Sequence, residues 1–260
     1  MTVRRPHRTA RVLAVTAATA ALAAGLTACG ADAGDDTRPE HRSFALQGRT
    51  LTVDSDDSAL ELVPADGDEV KVTRWFQGST VIGSDPRTTW RWDGDEDRLT
   101  LRLDCSGFIA DCSSRHRVEV PRGVEVVVRT DEGSVRATGF RHGLDITSQD
   151  GSVRIGNSAG PLRVRSDDGS VKATGIDARQ VSVRTQDGSA DLDLRTVPDR
   201  VDAVSDDGSL DVALPGSAAY RVSSHTDDGS VRVSVPRDAD SAHRVTVRTQ
   251  DGKVTLRTAN

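Results

Sequence analysis

Apolar side chains recur with a period of two along the second half of this chain, and an acid followed by glycine interrupts them at regular intervals. The glycines are Gly133, Gly151, Gly169, Gly188, Gly208, Gly229 and Gly252. Before them stand apolar pairs such as Val126 and Val128, Leu144 and Ile146, Leu162 and Val164, Val181 and Val183, and Val245 and Val247. After them come Val153 and Ile155, Val171 and Ala173, Leu210 and Val212. The alternation weakens at Val201 and Ala203, and again at Val222 and Ser224. Strict alternation rich in β-branched residues predicts strands with one buried and one wet face. Each unit therefore reads strand, turn, strand. Glycine supplies the positive φ of the turn, and the acid before it can bond the turn's own backbone.

The unit repeats every 18 to 23 residues over 130–260. Its copies share more than a pattern. A hydroxyl precedes each glycine by three positions, at Thr130, Ser148, Ser166, Thr185, Ser205, Thr226 and Thr249. Two architectures fit. In one, each Asp-Gly closes an antiparallel hairpin, and the hairpins build a β-sandwich. In the other, each unit is one coil of a single-stranded β-solenoid. Identity at equivalent positions favours the solenoid, because each residue there faces its own copy about 4.8 Å away. A degenerate copy lies earlier, with Leu51, Val53 and Ser55 before Asp57, Ser58 in the glycine slot, and Leu60 and Leu62 after it. Residues 64–125 depart from the unit. Whether coils continue there or a hairpin intervenes is left open by the pattern.

The phrases RSDDGSVKATG at 165–175 and HTDDGSVRVSV at 225–235 resemble the putative-adhesin family of domains of unknown function. The resemblance covers residues 45–258 and implies a β-solenoid on a bacterial surface. That family carries no established catalytic residues, so the resemblance assigns none here.

The amino terminus adds a location. Residues 1–11 carry four arginines and no acid, and an uncharged apolar run follows from Val12 to Leu26. The run is too short to cross a bilayer comfortably and suits a signal peptide. It ends in Leu26-Thr27-Ala28-Cys29, which resembles the lipobox of bacterial lipoproteins. The resemblance implies cleavage after residue 28 and acylation of Cys29, and acyl chains in pairs hold a protein on a membrane where one does not. The expected organisation is a signal peptide over 1–28, a flexible tether over 29–43, and the solenoid over 44–260. The expected location is the extracellular face of the cell membrane.

Charge narrows the function classes. All 40 Asp and Glu lie beyond residue 28, whereas four of the 34 Lys and Arg precede it, so the mature chain carries about −10. Nothing in that balance recommends nucleic acid as a partner. Cys105 and Cys112 are the two cysteines left after lipidation, and an oxidising compartment predicts a disulfide between them.

Candidate chemistry is sparse. The acid row could attract a divalent cation, but capping of each turn by its own Asp explains the row equally well. Asp93, Asp95 and Asp97 resemble half of a calcium loop, yet the Gly and Glu that such a loop needs are missing. Neither a metal nor a cofactor is expected. Arg129, Arg165, Arg184 and Arg248 should line one outward row, either in an ion-pair lattice or as a site for an anionic polymer. The serines beside the turn glycines are repeated, and a nucleophile occurs once. Trp75, Trp90 and Trp92 are the most site-like residues, either a sugar-stacking platform or a cap on the solenoid's open end. The expected function is a non-catalytic surface module that binds a cell-wall polymer, a glycan or a surface protein. The competing readings are an enzyme acting on envelope polysaccharide and a docking partner of a membrane signalling protein.

Overall fold

The computed structural model describes residues 31–259; the expected signal peptide and Cys29 lie outside them. A 3-10 turn, η1 (Ala33–Asp35), leads into β1 (Glu40–Ala45), β2 (Thr50–Asp57), β3 (Ala59–Ala65) and β4 (Glu69–Thr80). Then come β5 (Arg87–Asp93), β6 (Arg98–Asp104), β7 (Ala110–Pro121), β8 (Glu125–Glu132) and β9 (Val135–Thr138). The regular repeats supply β10 (Leu144–Asp150), β11 (Val153–Gly156), β12 (Leu162–Asp168), β13 (Val171–Ile176), β14 (Gln180–Asp187) and β15 (Ala190–Leu194). The chain closes with β16 (Arg200–Asp207), β17 (Leu210–Leu214), β18 (Arg221–Val233) and β19 (Arg244–Thr258).

These strands wind an all-β solenoid. The strand before each corner pairs in parallel with its counterpart in the next coil, as in β8–β10–β12–β14–β16. The strand after each corner does the same in β9–β11–β13–β15–β17. Strands flanking one corner thus belong to different walls, which rules out the hairpin sandwich. The register is that of the repeat: Asp150 faces Asp168, Asp168 faces Asp187, and Asp187 faces Asp207.

The two walls enclose a thin core. Leu144, Ile146, Val153 and Ile155 of one coil are buried, as are Leu162, Val164, Val171 and Ala173 of the next. Full burial of each Leu, Ile or Val contributes about 1.5–3 kcal/mol. The outward residues between them, such as Arg154 and Arg163, stay wet. Alternation therefore both makes the strand and decides which wall face is dry.

Stack order departs from chain order at both ends. The first coil, β2–β3, lies between β8–β9 on one side and β6–β7 on the other. The last strand, β19, lies between β16–β17 and β18. The first coil and the last strand are thus each held on two sides, and the outermost coil comes from one unit further in. β18 is the free edge, and its burial alternation is correspondingly weak. The poor pattern at Val222 and Ser224 marks this edge, whereas Val201 and Ala203 are fully buried.

Residues 64–125 contain both coil and hairpin. β6 and β7 form a coil, whereas β4 and β5 run antiparallel to it along its outer side. β1 in turn pairs antiparallel with β4. This corrects the tether expected over 29–43: Ala33 is buried, and from Glu40 onward the chain is already part of the sheet. The Asp36 carboxylate, held below its usual range chiefly by the Arg38 and Phe76 amides, fastens this segment to β4.

Candidate functional site

The corner row is the most regular feature, and its chemistry is inward. The glycines stack so closely that a Cβ at Gly151 would overlap the carbonyl oxygen of Gly133, and one at Gly169 that of Gly151. Positive φ is only part of the reason for glycine: Gly151 sits at φ 140° and has no room above its neighbour. Ser58 is tolerated because it begins the corner stack; the coil beneath it turns through the Cys105–Cys112 loop. The hydroxyls point to the same corner. Thr185 donates to the Gly188 carbonyl at 3.0 Å and lies 2.9 Å from the Ser205 hydroxyl, and Thr249 donates to the Gly208 carbonyl at 3.0 Å. Ser148 and Ser166 are buried with no hydrogen-bond partner for their hydroxyls. The hydroxyl row is therefore mostly a set of bonds to corner carbonyls.

The corner acids lie in register and face water. Burial, then Asp168 and Asp207, push the Asp187 carboxyl above its usual range. Asp57 is raised by burial and then by Glu132, Asp56 and Asp131. Among the described residues, no group of three or more His, Cys, Asp or Glu is gathered as a metal site. Asp97, in the half calcium loop, turns inward and accepts the amides of Gln47 and Gly48 at 2.9 and 2.6 Å. It is a clamp on the turn before β2.

The outer face of the first wall carries the arginines. A groove of about 470 Å³ is lined by Arg129, Arg163, Arg165 and Arg184 with Asp145 and Thr147. It adjoins a second groove of about 570 Å³ that shares Asp145, Arg163 and Arg184. Arg129 lies 3.4 Å from Asp54, Arg163 3.3 Å from Asp145, and Arg184 3.3 Å from Asp202. Arg165 has no such pair among the described residues. Arg248, further along the row, has none either among the described residues, so the row is an ion-pair lattice with two cations left over. Arg163 belongs to the cluster because the chain alternates Arg-Val-Arg at 163–165, a signal that register with the neighbouring coils makes visible.

The tryptophans do not form one platform. Trp90 is buried, with the guanidinium groups of Arg42 and Arg74 at 4.8 and 4.4 Å from its ring. Trp92 stacks on Phe44 at 5.1 Å, and Trp75 lies under Arg115 at 4.3 Å. Trp75 follows Arg74 in β4, so it points to the opposite face of that strand. Sequence reasoning missed His116, which is fully buried beside Trp90 with both ring nitrogens unpartnered. Burial, and then Arg74, lower its pKa to about 3, so it packs as a neutral ring. Cys105 and Cys112 are joined by a disulfide, Cα to Cα 6.1 Å, at the foot of a short ribbon. Cys29 lies outside the described residues.

Residues 119–258 match the Toastrack DUF4097 family. The chain belongs to that family. Its Toastrack region spans β8 to β19, where the coils stack regularly. Two solved structures match the chain at low similarity. A putative adhesin from Bacteroides fragilis has 13% identity and a TM-score of 0.47, with 86% of this chain and 98% of that one covered. A putative cell adhesion protein from Clostridium sporogenes has 10% identity and a TM-score of 0.35, covering 85% of this chain and 100% of the other. No curated protein matches the chain.

Proposed function

We propose that this Toastrack protein is a lipoprotein held on the outer face of the cell membrane through Cys29, where it works as a non-catalytic binding module for an anionic envelope polymer. The observation that carries the ligand class is the groove on the first wall, where Arg129, Arg163, Arg165 and Arg184 converge and Arg165 lacks a carboxylate. A cation held in a row of its kind, on a rigid parallel wall, presents evenly spaced charge to a repeating polyanion. The serines and acids recur in coil after coil, whereas a nucleophile or general base occurs once, and this supports the absence of catalysis. His116, the most perturbed titratable side chain, is sealed in the core, where no substrate reaches it.

The test is retention of the lipoprotein on purified cell-wall fractions, before and after acid extraction of their anionic polymers. Retention should depend on those polymers and fall as salt rises. The Arg165→Ala, Arg184→Ala double variant should bind about tenfold more weakly, the equivalent of about 1.4 kcal/mol. Equal retention on extracted and intact walls would refute the polyanion reading.

A further inference from the structure

The β4–β7 ladder does not stop at the body of the solenoid. Beyond Thr80 and Ala110 the two strands continue as a ribbon, with the Val81 amide donating to the Ile109 carbonyl and the Phe108 amide to the Ile82 carbonyl. A bridge between Gly83 and Gly107 closes it, and the Cys105–Cys112 disulfide braces its base. A Cβ on Gly83 would lie 2.6 Å from the Gly107 Cα, and one on Gly107 2.5 Å from the Thr80 methyl. The two strands are therefore pressed together by design of the sequence.

The end of this ribbon carries the most exposed large apolar side chains among the described residues. Phe108 is 82% exposed, Val81 71%, Ile82 64% and Ile109 56%. Residues 81–82 and 108–109 form a bend between the end of the β4–β7 ladder and the Gly83–Gly107 bridge, and all four side chains stand exposed around that tip. A medium that is apolar all round covers them together.

The position of the chain's amino-terminal part identifies that medium. The Ala31 amide donates to the Asp111 carboxylate at 2.6 Å, and Asp111 is two residues from Ile109. Cys29 precedes Ala31 by two residues, a span of at most about 7 Å. We propose that Val81, Ile82, Phe108 and Ile109 dip into the outer leaflet of the membrane that holds the Cys29 lipid, a second contact that orients the solenoid on the bilayer. This rests on the lipidation of Cys29 in the reading above. The insertion is shallow, because a two-stranded ribbon has outer amides and carbonyls that need water or headgroups. It is also driven by apolar burial and not by charge: Asp85, Asp104 and Asp111 surround the tip against Arg87, which is itself paired with Asp104 at 3.0 Å. Phosphatidylcholine should therefore serve as well as an anionic lipid.

The experiment uses the full lipidated chain reconstituted into phosphatidylcholine vesicles, with and without bromine on the upper part of the acyl chains. The Ile82→Trp substitution places a fluorophore at the tip, read as the emission added over the wild-type chain. Most of that added emission should be lost to brominated lipid, while the wild-type emission from Trp75, Trp90 and Trp92 changes little. Mass spectrometry of the same preparation reports the diacylglyceryl group on Cys29. Lipidated protein whose added emission survives brominated lipid and yields to aqueous acrylamide overturns the insertion alone. Emission that is shielded from both quenchers, with a doubled mass in light scattering, assigns the tip to a second copy and also overturns it. An unmodified Cys29 removes the anchor reading itself.

Discussion

The two halves of the molecule solve the same packing problem in different ways. From β8 to β19 each coil presents the same residues to the coil beside it: glycine over glycine carbonyl, hydroxyl into the corner, aliphatic over aliphatic. From β1 to β7 only β2–β3 keeps a degenerate copy of the unit, and the end is closed by antiparallel strands, Trp90 between two arginines, buried His116 and a disulfide. A regular stack needs only residues that fit their own copies. An end must satisfy a coil on one side and water on the other, so it takes residues found nowhere else in the chain.

That contrast can be broken most severely at the corner. Gly151→Val places a branched side chain where the Gly133 carbonyl already stands, at a positive φ, in a stack that cannot spread without breaking its parallel ladders. The expected loss is about 3–5 kcal/mol, measured by urea denaturation. Ser58 already carries a Cβ in the corresponding slot although it is buried, so Ser58→Ala should cost far less. Equal costs would mean that the stack is not the reason for the glycines.

At the irregular end the sensitive group is His116. Its folded pKa of about 3 lies below the unfolded value of 6.5. The unfolded chain therefore binds the extra proton first, and stability falls as the pH drops from about 6.5 toward 3. By linkage the loss reaches about 3 kcal/mol at pH 4. His116→Phe should flatten the fall in melting temperature between pH 7 and pH 4. An unchanged slope would place the acid sensitivity elsewhere.

Removing the disulfide with Cys105→Ser and Cys112→Ser should cost about 2 kcal/mol, given the short loop that it closes. Proteolysis should then cut the ribbon at 81–83 or 107–109 while the Toastrack coils stay resistant. Cleavage within the coils instead would show that the brace supports the whole stack.

The smallest effect is on the acid row. Asp187 has a raised carboxyl, so its ionised form is disfavoured in the folded state, and its contribution to stability is present at low pH and lost as pH rises above about 4. Asp187→Asn should raise the melting temperature at pH 7, with the gain vanishing at pH 3. A lower melting temperature at pH 7 would show that the carboxylate is needed as a turn cap more than it is resented by Asp168 and Asp207.

Much of this was legible in the amino-acid order. The alternation at Leu144, Ile146, Val153 and Ile155 specified strands, and the shared residues at each corner specified stacking over hairpins. The outward row of Arg129, Arg165 and Arg184 was legible too, because every second residue of a half-wet strand faces out. Arg163 and the gap in pairing at Arg165 were not, since they depend on what the adjacent coils hold opposite them. The tryptophans stayed open between platform and cap for the same reason: aromatic residues of an exposed platform and of a buried cap are the same letters, and Arg42 and Arg74 reach Trp90 only through tertiary contact.

The sequence by itself determined the coil, its corner, its core face and the family. Only the tertiary structure decided that β2–β3 enters between two later coils and that β19 slides beneath β18. Stacking acts between nearest neighbours, and matching units present nearly the same edges to one another, so a repeat specifies that its copies stack without specifying on which. The order at the ends is settled by the non-repeating segments that must close them.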